Sequence, residues 1–82
     1  MPRIKLSPGE RVEVRCHHRR GGQIVHDWLP GRVVQADHRM AAIRFETEVY
    51  SSNGWLIPDR TLWCAHGSPN LRRLPGLELQ SA

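Results

Sequence analysis

The chain has 82 residues and sets twelve Lys and Arg against eight Asp and Glu, a formal charge of +4 with a sequence pI near 10.0. That length allows one domain with a thin core, because folding at this size buries only about 60% of the surface the unfolded chain exposes. No run approaches the roughly 18 apolar residues of a membrane span and no apolar leader opens the chain, so the expectation is a soluble, cytoplasmic protein without membrane partners.

Residues 1–8 read as an N-terminal tail in which Ser7-Pro8-Gly9 turns the chain into a first strand at residues 10–16, with Val12, Val14 and Cys16 on one face. His17, His18, Arg19 and Arg20, followed by two glycines, break that alternation and are expected in an exposed loop at 17–23. A second strand is expected over 28–36. A turn at Asp37-His38-Arg39 leads to a third over 40–47, where Ala41, Ile43 and Phe45 share a face. Asn53-Gly54 signals a tight turn into a fourth strand at 54–57, which Pro58 interrupts by removing a ladder donor. Extended structure resumes at 62–65, residues 71–74 close the domain as a short strand or one helical turn, and 75–82 form a C-terminal tail. Val12, Val14, Val33 or Val34, Ile43, Phe45 and Leu62 are the expected core, joined by one or two tryptophans.

Five short strands and no helical periodicity longer than a turn predict an all-β fold, a small five-stranded barrel over residues 9–74. Gly9-Glu-Arg-Val-Glu-Val14, Trp28-Leu-Pro-Gly-Arg-Val-Val34, Ala42-Ile-Arg-Phe-Glu46 and Asn70-Leu-Arg-Arg-Leu74 resemble the strands of SH3-like barrels of the Tudor and agenet type. The resemblance implies a binding module, and in some such barrels rim aromatics cage methylated lysine or arginine by cation–π attraction. Trp28, Tyr50 and Trp55, at strand ends or beside loops, are the candidates here for an aromatic groove.

Lys5 is the only lysine, so nearly all positive charge is guanidinium, which pairs bidentately with phosphates and carboxylates. His17, His18, Arg19 and Arg20, extended by Arg72 and Arg73, form the candidate nucleic-acid contact. A protein partner at the aromatic groove is the rival reading, and a homo-oligomer that hides exposed strand edges is a third. Cys16 with His18 and Cys64 with His66 suggest a zinc site, but neither pair has the two-to-four-residue loop spacing of a zinc knuckle, so buried thiols and no metal or cofactor are expected. The carboxylates are scattered, and Glu13 and Glu46 are expected to pair with Arg44, Arg11 or Arg15. No catalytic constellation emerges, and the expected function is non-catalytic binding.

Overall fold

Alternation onto one face carries the chain into strands from its first ordered turn. The structure, a computed structural model, describes residues 5–74. The expected tails at 1–4 and 75–82 lie outside the described residues. Six strands follow in order: β1 (Arg11–Arg20), β2 (Gln23–Ala36), β3 (Met40–Arg44), β4 (Val49–Tyr50), β5 (Thr61–Ala65) and β6 (Leu71–Arg73). All pairings are antiparallel, in the path β4-β1-β2-β3-β5, with β6 on β1. The result is an all-β, nearly closed five-strand barrel, compatible at that coarse level with an SH3-like fold. No helix is long and apolar enough to cross a membrane among the described residues.

β1 organises the sheet. One edge pairs with β2 along its whole length, from Arg11↔Arg32 to Arg20↔Gln23. Its other edge is shared, with β6 taking Val12–Val14 and β4 taking His17 and His18. β2 bends where its partner changes from β1 to β3, and a bulge between Val33 and Gln35 turns Val34 outward while Val33 stays buried.

Val12, Val14, Val33, Ile43 and Phe45 are buried as expected, joined by Leu6, Cys16, Ala41 and Val49, and Leu62 packs half-buried against them. The expected tryptophans are absent from this core. Trp28 is half-buried, and Trp55 and Trp63 are exposed. The core is built mainly of valine, isoleucine and small side chains around the Phe45 ring, and Gly31 packs against that ring too closely to carry a side chain.

Three expected boundaries are corrected. The supposed loop at 17–23 is strand on both sides of a two-residue turn, Gly21 (φ 57°) and Gly22 (φ 84°), so β2 begins at Gln23 instead of Trp28. Positive φ at both positions is what a type I′ hairpin demands and what glycine supplies. β3 ends at Arg44, short of 47, and the Asn53-Gly54 turn returns only as a single bridge, Tyr50↔Leu56, in place of a fourth strand at 54–57. A turn at Pro58–Arg60, with Asp59 (φ 59°) and Arg60 (φ 52°) in the left-handed region, then leads into β5.

Candidate functional site

Because successive residues of a strand point to opposite faces, extending β1 to Arg20 sorts the basic cluster into two groups. Val12, Val14, Cys16 and His18 face inward, and Arg11, Glu13, Arg15, His17 and Arg19 face outward. The register puts Trp28 beside Arg15, His26 beside His17 on β2, and Tyr50 beside His17 on β4. His17 and His26 stack with ring centroids 4.4 Å apart and planes 8° from parallel. Arg72 of β6 reaches over the same face, its Nε donating to Glu13 Oε1 at 2.8 Å and its guanidinium carbon 3.8 Å from the centre of the Trp28 ring. Arg19 caps the other end, donating to the Tyr50 hydroxyl at 2.8 Å, and that hydroxyl donates to Glu48 Oε1 at 3.0 Å. Between them Arg15 is exposed and has no ion-pair partner among the described residues.

The outer face of β4, β1, β2 and β6 therefore gathers His17, Arg19, Arg72, Trp28 and Tyr50, five of the residues singled out from the sequence. No protein family, curated protein or solved structure matches this chain. The other four residues stand elsewhere. His18 lies inward, 3% exposed, with neither ring nitrogen hydrogen-bonded among the described residues. Arg20 is on the opposite side of the hairpin, paired with Asp27 Oδ2 at 2.9 Å. Arg73 is paired with Glu10 at 2.8 Å beside the carbonyl of Lys5. Trp55 sits in the turn after β4 and is 73% exposed. The expected pairing of Glu13 with Arg11, Arg15 or Arg44 is replaced by its bond to Arg72, and Glu46 makes no ion pair among the described residues.

Local bonds hold the carboxylates charged around these basic groups. The Trp28 N–H and then the Arg20 guanidinium keep the Asp27 carboxyl below its usual range. At Asp37 the backbone N–H groups of Met40 and Arg39, both at 2.8 Å, do the same and fix the turn into β3. Partial burial opposes ionisation of Glu10, yet the Arg73 guanidinium and the Ser7 N–H together hold its carboxyl below the usual value. Sequence reasoning passed over His26 and the unpaired Arg15 as site residues. The signal was the Gly21-Gly22 pair between two runs, which marks a two-residue hairpin and carries the outward alternation of β1 two residues past His17.

The four residues weighed as zinc ligands are not four free donors. His66 is buried with both ring nitrogens engaged. Its Nδ1 accepts from the Leu6 N–H at 3.1 Å, which leaves Nε2 to donate to the Asp37 carbonyl at 2.6 Å. This clasp ties the N-terminal segment to the β2–β3 turn. No cluster of three or more His, Cys, Asp or Glu side chains suited to a metal ion occurs among the described residues. Burial, with a smaller contribution from Cys64, pushes the Cys16 thiol up to about 11, opposite in sign to the activation a nucleophilic thiolate requires. Iodoacetamide at pH 7.5 is accordingly expected to leave Cys16 of the folded protein unmodified over a time that labels the urea-unfolded chain completely. Comparable labelling of the two states, read by mass spectrometry, would show that Cys16 is not in the core.

Proposed function

We propose that this protein is a non-catalytic binding module, an SH3-like barrel of Tudor or agenet type, that holds nucleic acid by its phosphate backbone on the outer face of the β1–β2 hairpin. The observation that supports this reading is Arg15, an exposed guanidinium without a carboxylate partner among the described residues, set beside Trp28 and the stacked His17–His26 pair. Cations tracking phosphates beside aromatic rings are the recurrent, sequence-tolerant solution for single-stranded nucleic acid, and here a base would stack by displacing the Arg72 guanidinium from the Trp28 ring or on an outer face of the His17–His26 pair. Arg19 and Arg72 flank the same face and lie within reach of neighbouring phosphates, although each also serves a carboxylate. Fluorescence anisotropy with a single-stranded probe tests the reading. Two or three phosphate contacts predict a slope of log affinity on log salt of roughly −1.4 to −2.1, at about −0.7 per contact. Arg15→Glu is expected to weaken binding and reduce the slope by about one contact without lowering the melting temperature. Failure of single-stranded and duplex probes alike to bind at about 50 mM salt, where such contacts are strongest, would exclude the nucleic-acid reading.

Trp55 and Leu56 favour a second reading. They are consecutive, 73% and 55% exposed, and held outward in a turn whose Ser51 hydroxyl accepts from the Asn53 and Trp55 N–H groups. A fixed exposed pair of this kind suits a protein partner or a second copy of the chain. Trp55→Ser would abolish such an association and leave nucleic-acid binding at Arg15 intact.

A further inference from the structure

Arg11, Arg32 and Arg44 lie 21 and 12 positions apart in the chain, yet the sheet lines them up. Arg11 on β1 is the register partner of Arg32 on β2, and Arg32 is the partner of Arg44 on β3. All three are exposed. They point away from the core, because Val12, Val33 and Ile43, their chain neighbours, point into it. Directly opposed residues have Cβ atoms about 4.5–5.5 Å apart, and like charges at that separation destabilise a sheet. No ion pair or side-chain hydrogen bond reaches any of the three guanidiniums among the described residues. They line a cavity of about 250 Å³ in which Glu46 is the sole carboxylate among the described residues.

We infer that this row is a binding site for a phosphate group in its monoester, dianionic form. Three guanidiniums against one carboxylate leave a formal excess of two positive charges around the cavity, which matches the charge of about −1.5 to −2 that a phosphomonoester carries at neutral pH better than the single charge of a backbone diester. Planar guanidinium forks on three adjacent strands supply paired donors for the three free oxygens of such a group. The cavity has room for a small anion with its water and falls just under the range of about 300–1,000 Å³ typical of drug-sized ligands. Binding would relieve the repulsion among the three guanidiniums. The site lies four residues along β1 from Arg15 on the same outward side of the strand, and it does not depend on the chain binding a polynucleotide. Its phosphate comes from one of two sources, the free anion or the phosphorylated end of a strand.

The test is thermal unfolding and calorimetric titration of the whole protein with low-millimolar sodium phosphate, against sodium chloride at equal ionic strength. Phosphate stabilises proteins in general by exclusion from their surface, so the readout is the difference between wild type and Arg32→Gln. Wild type is expected to gain melting temperature with phosphate. Arg32→Gln is expected to start at the same or a higher melting temperature, because it removes a like-charge contact, and to lose the specific gain. Arg44→Gln, at the end of the row, should weaken phosphate binding about tenfold, as the loss of one charge-assisted bond does. Arg15→Glu should leave the phosphate response unchanged, which keeps this site distinguishable from the nucleic-acid face whichever of the two fails. A 5′-phosphorylated oligonucleotide that outcompetes its 5′-hydroxyl counterpart only when Arg32 is present assigns the source to a strand end, and equal competition assigns it to the free anion. A wild-type melt identical in phosphate and chloride, or an Arg32→Gln response as large as that of wild type, overturns the assignment.

Discussion

Phe45→Ala is expected to destabilise the protein by about 3–5 kcal/mol, the usual cost of emptying a buried aromatic site. Against total stabilities of about 5–15 kcal/mol, and in a chain of 82 residues, that loss removes a large share of the folding free energy. Phe45 is 2% exposed, and it is the only large ring in a cluster otherwise made of valine, isoleucine, leucine, alanine and cysteine. Urea melts of wild type and variant measure the loss. A difference below about 1 kcal/mol would put the ring on the surface and reverse the inward alternation of β3.

Gly31→Ala should cost about 1–3 kcal/mol, by overpacking and not by backbone strain. A Cβ built at Gly31 lies 2.7 Å from Phe45 Cδ1 and 2.8 Å from Ile43 Cγ2, closer than real Cβ atoms come to anything. The neighbours it would displace are side chains already wedged in the core. The two substitutions are therefore coupled. In a Phe45→Ala background the added methyl meets only the Ile43 Cγ2 contact, and Ile43 can give way into the vacated space, so Gly31→Ala should lose part of its cost there and the double variant should be more stable than the sum of the singles predicts. Strict additivity in chemical denaturation would mean that the ring does not rest on Gly31.

What the sequence reveals and what it hides divide along one line, whether a side chain is buried. Val12, Val14, Ile43 and Phe45 announce strands because every second position must be apolar to face a core, and these positions are buried. The upper half of the β1–β2 hairpin carries no such signal. His18 is the last inward side chain of β1 that is buried, and past it the hairpin exposes both faces, so Arg19 and Arg20 are polar on both and read as loop. The tryptophans mislead in the other direction. Apolar area argues for burying them, but the barrel is too narrow, and Trp28 finds its contact instead under the Arg72 guanidinium. Of the candidate site, the Arg19 and Arg72 contributions are legible as basic clusters. The alignment of Arg11, Arg32 and Arg44 is not, because it depends on a register between three strands that no local pattern encodes.

The shared edge of β1 has a consequence in time. Leu71, which pairs with Val14, follows it about 57 residues later in the chain. At ribosomal speeds of about 5–20 residues per second, the Val12–Val14 edge is made roughly 3–11 s before the strand that covers it exists. During that interval the β1–β2 hairpin can already have closed around its glycine turn, since hairpins form in about 1–10 μs. The nascent domain thus passes through a stage with one ready strand edge and no partner for it, the situation in which chains add to one another. Arg11, Glu13 and Arg15 line that stretch with charge, so a second nascent copy laid alongside would set like groups against like. The lower half of β1 is in this sense guarded during synthesis by the same arginines that the finished barrel turns toward solvent.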